Sequence, residues 1–264
     1  MMVPAGIDAD IPHPARAFDY WLGGRDNYEP DREMAEQVIA IAPELPTSVR
    51  GSRAFLQRAV RSLAGAGIRQ FIDIGAGLPT VGNTHEIAQR AAPEARVVYV
   101  DNDPVVVAHA DALLAGAGAG PVRIIEADLR EPGKILAHPG LRALIDPGQP
   151  VAVLLVAVLH FITDDEDPYG AMASLREAMA PGSYLVIAHL TGDADPSRGE
   201  YAVQAWKHAR TAPPPTLRDR GQIGRFLDGL DLLDPGIVPV DHWRPETPPG
   251  IGSFWLYAGV GRKR

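Results

Sequence analysis

Three aspartates each stand at or near the end of an apolar run, where a carboxylate can serve a ligand: Asp73, Asp101 and Asp128. Asp73 falls in the run 70–74 (QFIDI), which is followed by Gly75-Ala76-Gly77. A tight glycine turn after a buried strand lets a ligand approach the backbone where a Cβ would block it. Asp101 closes the run 97–101 (VVYVD), and 101 − 77 = 24 residues separate it from the second glycine. That is near the spacing of about 20 expected of an acid that binds a ribose hydroxyl. A carboxylate can accept from both hydroxyls of a ribose diol. Asp101 can instead cap the helix that opens at Pro104, but Asp103 is placed to do so. Asp128, beside Leu129, ends a third run; its plainer reading is a turn aspartate.

The elements that hold these acids alternate. Strands are predicted over 70–74, 96–101, 122–128, 151–158 and 184–190, with helices over 84–91, 104–115, 132–145 and 168–179 between them. Thr80 or Asn83 can cap the first of those helices. Strands alternating with helices of this length imply an α/β fold, a Rossmann-like, doubly wound, mostly parallel sheet with its ligand at the carboxyl edge. Two closing strands, 232–240 and 254–261, make seven, after helices over 200–210 and 217–227 that flank a proline-rich gap. Ahead of the sheet, an irregular arm over 1–14 and helices around Phe18–Leu22, 31–42 and 48–64 form a lid or a packing layer. The expected organisation is therefore 1–66 as N-terminal arm and helices and 67–264 as the nucleotide-binding domain.

Composition narrows the class. The 264 residues are 46% hydrophobic, carry a formal net charge of −8 and include no cysteine. Disulfides, thiolate metal sites and a cysteine nucleophile are thereby excluded. Without a Lys/Arg cluster, the negative balance argues against a nucleic-acid partner. No apolar window approaches a membrane span and no signal peptide is visible, so a cytoplasmic protein is expected. The abundance of Ala, Gly, Pro, Arg and Asp resembles a high-GC bacterial coding bias.

Which nucleotide binds is narrowed by departures from the dinucleotide pattern G-x-G-x-x-G. Its third glycine would fall at Thr80, which argues against a pyrophosphate on the helix. Asp73-Ile74-Gly75-Ala76-Gly77 instead resembles the first motif of class I S-adenosylmethionine (SAM)-dependent methyltransferases, with Pro79 where the broad pattern has a third glycine. The segments 100–103, 127–129, 154–160 and 175–185 follow in methyltransferase order. More narrowly, residues 13–28 (HPARAFDYWLGGRDNY) and 73–80 (DIGAGLPT) resemble a bacterial family of SAM-dependent methyltransferases of unassigned substrate, in which proline at position 79 is usual. The likeness covers nearly the whole chain. It implies SAM as cofactor, bound by Asp73, Gly75, Ala76, Gly77, Asp101, Asn102, Asp128, Leu129 and Ala157. Asp128 would accept from the adenine amino group.

Two further expectations concern chemistry. His160 ends the fourth strand beside the expected methyl donor, where it could take a proton from an acceptor or simply shape the pocket. Arg25 and Tyr28, next to Gly23-Gly24, could cover the ligand, the arginine pairing with the methionine carboxylate of SAM. His189 is a weaker candidate for substrate contact, and His85, His109, His138 and His208 read as surface or boundary residues. The acidic run 164–167 reads as a solvated helix start, so no metal is expected. The leading function is methyl transfer from SAM to a small-molecule acceptor. The alternatives are a non-catalytic SAM- or SAH-binding module and an NAD-dependent oxidoreductase.

Overall fold

The computed structural model describes residues 10–79, 82–117, 120–208, 214–246, 248 and 254–264. Thr80 and Pro213 lie outside them, as do parts of the 241–250 loop. Three helices come first: α1 (Pro14–Trp21), α2 (Glu29–Ile41) and α3 (Leu45–Gly65). The alternation follows as β1 (Gln70–Ile74), α4 (Thr84–Ala91), β2 (Arg96–Asp101), α5 (Pro104–Ala117) and β3 (Val122–Glu126). Next come α6 (Pro132–Ala137), α7 (Pro139–Arg142), β4 (Ala152–Val156), α8 (Pro168–Ala178) and β5 (Tyr184–Leu190). The chain closes with α9 (Pro196–His208), α10 (Arg220–Arg225), β6 (Asp231–Leu232), β7 (Val238–Pro239) and β8 (Leu256–Arg262).

The strands form one sheet in the order β3-β2-β1-β4-β5-β8-β6, with β7 also on β8. The five strands from β3 to β5 run parallel, and β8 is antiparallel to β5. Because side chains alternate along a strand, Phe71, Val97, Tyr99, Leu154 and Val186 pack on the face covered by α1–α3. Ile72, Ile74, Val98, Val100, Val153 and Ile187 pack on the opposite face. Strands buried on both faces read as continuous apolar runs, which is why five of them were visible in the sequence.

Two predicted elements divide. The strand expected over 232–240 is two short pieces, β6 and β7, on the same neighbour β8. Between them Gly236 N donates to Leu233 O at 2.8 Å, a turn at Asp234-Pro235-Gly236. The helix expected over 132–145 breaks at His138-Pro139 into α6 and α7. Pro139 cannot continue the backbone ladder, and His138 Nδ1 accepts from Gly140 N at 3.0 Å to open the second piece. The helix expected over 200–210 opens earlier, at Pro196, and the one over 217–227 shortens to α10. The N-terminal helices share one hydrophobic core with the sheet: Ala17, Trp21, Met34, Phe55 and Leu63 are buried together with Phe71 and Leu154.

Candidate active site

A cavity of about 500 Å³ lies at the carboxyl edge of the sheet, over the ends of β1, β2 and β4 and beneath α1 and α3. Between β1 and β4 the strand order reverses, the switch point at which doubly wound sheets bind ligands. Gly75, Ala76, Gly77, Asp101, Asn102, Asp128, Leu129 and Ala157 all line it.

The turn after β1 is built by two glycines with positive φ, +71° at Gly75 and +66° at Gly77. A Cβ on Gly75 would come within 2.3 Å of the Val158 side chain, so that glycine is required by packing. At Gly77 a Cβ would meet no atom within 4 Å. Gly75 N donates to Val100 O at 2.8 Å, tying the turn to β2.

Asp101 is held at both carboxylate oxygens. Gly77 N donates to Oδ2 at 2.9 Å and Asp103 N to Oδ1 at 3.0 Å. Burial pushes its carboxyl above the ordinary value, against the pull of those two N–H groups. Asp103 in turn faces His13 Nδ1 at 3.0 Å, which joins the start of α1 to the end of β2. Beside them Asn102 Nδ2 donates to Asp128 Oδ2 at 2.9 Å, and Arg130 N donates to Asp128 Oδ1 at 2.8 Å. The Arg130 guanidinium spans Asp128, Glu166 and the Phe161 carbonyl, fixing the loop after β4 against the loop after β3. In that loop Ala157 adopts φ +65°, a conformation costly for a residue with a Cβ.

Four expected site residues are not brought to the cavity. Asp73 points behind the turn, where Thr84 Oγ1 donates to its Oδ2 at 2.6 Å and fastens α4 to β1. His160 is fully buried, packed against the rings of Phe161, Phe18 and His189. Burial, with His189 and Arg218 nearby, holds its pKa well below the ordinary histidine value. The cavity wall at this point is Phe161, which follows it. Arg25 is exposed, and the Tyr28 ring lies under the Arg16 guanidinium at 5.2 Å. The cause is Asp19, whose Oδ2 accepts from Asp26 N at 2.9 Å and Asn27 Nδ2 at 2.8 Å and so fixes the turn that carries both residues.

Much of the remaining wall comes from residues that sequence reasoning did not assign to the site: Phe18 and Asp19 of α1, Leu22 just after it, Ser52 and Arg53 of α3, and Phe161 and Ile162 after β4. Burial raises the Asp19 carboxyl above its ordinary value. An acid amid the apolar positions of α1 and a serine–arginine pair inside the apolar stripe of α3 were the available signals. His85, read as a surface or boundary residue, is buried, with its Nδ1 2.7 Å from Tyr99 Oη. The run 164–167 is engaged by other residues: Asp164 pairs with Arg218, Glu166 with Arg130, and Asp167 caps α8 through Gly170 N.

Comparison with known proteins establishes the family and the fold. A DUF574 family protein from Streptomyces avermitilis is 40% identical, with 97% of this chain and 99% of that one covered at a TM-score of 0.92. A candidate methyltransferase from Thermobifida fusca is also 40% identical, covering 99% and 98% at a TM-score of 0.92. An N-methyltransferase, NodS from Bradyrhizobium japonicum, solved with S-adenosyl-L-homocysteine (SAH), shares the fold at 12% identity and a TM-score of 0.52, covering 88% and 97%. No functionally curated protein matches the sequence. The S-adenosyl methyltransferase family model matches residues 2–264, and the chain therefore belongs to that family, whose methyl donor is SAM.

Proposed function

We infer that the protein transfers the methyl group of SAM to a small-molecule acceptor at the cavity over β1, β2 and β4. The observation that carries this reading is the Asp101 carboxylate, held by the Gly77 and Asp103 N–H groups on the wall of the cavity. A rigid carboxylate beside a glycine turn with open space above Gly77 suits a ribose diol. Asp128, steadied by Asn102 and Arg130, suits the exocyclic amine of adenine, with the Leu129 backbone beside the ring. The amino-acid end of SAM is a zwitterion, and Asp19 and Arg53 supply one anion and one cation to the same cavity. Asp73 and Ala157 act indirectly, the first by anchoring α4 and the second by shaping the loop after β4.

When bound, SAM supplies an electrophilic methyl group on a sulfonium. The chain's own contribution is orientation and exclusion of water by Phe18, Leu22, Phe161 and Ile162, since proximity supplies much of the rate of such a displacement. The buried His160 is not placed to take the acceptor's proton. Enclosure by α1 and α3, together with the net charge of −8, favours a small acceptor over a nucleic acid.

The test is calorimetric titration of the purified protein with SAM, SAH and NAD in parallel. Micromolar binding of SAM and SAH is expected, weakened at least about tenfold in Asp101→Ala, the scale of a lost charged hydrogen bond. Binding of NAD alone would overturn the reading. Tight SAM binding with no methyl product from any acceptor would favour a binding module without turnover.

A further inference from the structure

The opposite face of the sheet carries a second cavity, also of about 500 Å³. Its floor is formed by Ile72 and Ile74 of β1 and Val153 of β4, with Ile135, Leu141 and Met179 among its walls. A recess of this size, lined almost wholly by apolar side chains with a single polar group, has the usual form of a small-molecule site. Residues on both sides of the break at His138-Pro139 line it, Ile135 and Leu136 from α6 and Leu141 and Arg142 from α7.

Two observations restrict what fits. Ile72, Ile74 and Val153 expose only 5%, 2% and 2% of their surface, so a flat protein face would not reach the floor, whereas a slender aliphatic chain would. Among the described residues, Arg142 is the one charged group on the lining. Its Nε donates to Leu136 O at 3.1 Å. Arg142 is exposed at the mouth of the cavity, and its terminal nitrogens, which make no hydrogen bond or ion pair among the described residues, are open to an anion from solvent. A run of methylenes ending in an anion complements both features.

We propose that this cavity binds a free aliphatic carboxylate, its chain over Ile72 and Val153 and its head group on Arg142. The two cavities share Ile74 alone among their lining residues, and the test of this one does not depend on methyl transfer.

The experiment is titration of the full chain with hexanoate, octanoate, decanoate and dodecanoate, and with the matching alcohols, below their micelle concentrations. Affinity should rise about fourfold per added methylene until the cavity is full. Each carboxylate should bind roughly tenfold more tightly than its alcohol, as a charged hydrogen bond would give, and Arg142→Gln should erase that difference. Ala178→Phe, at the rim, should abolish binding. An unchanged unfolding transition would show that both variants fold. Absence of binding by every chain length would overturn the proposal. So would equal binding of acid and alcohol to the unaltered chain, or unchanged binding of both by a folded Arg142→Gln variant.

Discussion

Gly75 and Gly77 have the same backbone requirement but different surroundings, and their substitutions should separate fold from binding. Both hold positive φ, which costs an L-residue roughly 1–2 kcal/mol. Gly75→Ala must also displace Val158, which stands on the loop after β4. It should lower stability well beyond that backbone cost. Gly77→Ala should cost stability only modestly, yet weaken SAM about tenfold or more, because its Cβ enters the open space above the turn. Urea unfolding and calorimetry on the two variants would check this; equal effects on both properties would contradict it. Asp101→Asn should behave much like Asp101→Ala. An amide has one accepting end, and here both ends must accept an N–H.

At the scale of elements, the wall formed by Phe161 and Ile162 is held from behind by Arg218. Its buried guanidinium donates to Leu159 O at 3.3 Å, Ile162 O at 2.9 Å and Asp164 Oδ1 at 2.6 Å. It also meets His189 Nε2 at 2.8 Å. His189 Nδ1 lies 2.7 Å from Leu190 O, an acceptor, so Nδ1 carries the proton and Nε2 accepts from the arginine. Arg218→Met would strand Ile162 O and His189 Nε2 inside the protein, whereas Leu159 O would keep its bond from Ile162 N. A loss of at least about 2 kcal/mol is expected in urea unfolding, with weaker SAM binding as the wall loosens.

The same cluster predicts a pH dependence. Burial, then the Arg218 charge, brings the His189 pKa down to about 3, and His160 is depressed in the same sense. Above the ordinary histidine value of 6.5 both folded and unfolded chains are neutral at these sites, and their stability is fully present. As pH falls below that value the unfolded chain takes up protons that the native chain refuses. Stability should therefore decline by up to about 1.4 kcal/mol per pH unit for each histidine. The carboxyls of Asp19, Asp73 and Asp101, raised by burial, oppose this from their ordinary value of 3.8 upward. The decline is cleanest between about pH 7 and about pH 5.5, and urea midpoints across that range would show it. A flat profile would contradict the neutral, buried placement of the two histidines.

Across the whole molecule, α1 is structural as well as a cover for the cavity. Ala17 and Trp21 are buried in the sheet's own core, and Trp21 and Phe161 each pack on Trp206. Losing one such tryptophan typically costs about 3–5 kcal/mol, a large part of a domain's net stability. A chain beginning at residue 29 should therefore show no cooperative calorimetric melt, with or without SAM. A cooperative melt would mean that the sheet folds without its first helix.

Local pattern alone determined the parallel sheet, the glycine turn and Asp101 at a strand end, because strands buried on both faces and turns that need positive φ leave direct marks in residue type; Asp128, expected at the end of its strand, stands two residues beyond β3. The divisions of the strand after α10 and of the helix after β3 went unread, although Pro235-Gly236 and Pro139 mark them in residue type, because the apolar pattern runs on across both breaks. Nor did local pattern separate Asp101, which faces the cavity, from Asp73, which faces Thr84. That assignment depends on which side of the turn each carboxylate finds its donors. His160, Arg25 and Tyr28 stood close in sequence to residues that line the cavity, yet packing by Phe161 and the turn fixed by Asp19 keep them off its wall. Phe18, Asp19 and Arg53 reach it from helices that precede the first strand, a meeting that only the shared core of α1, α3 and the sheet brings about.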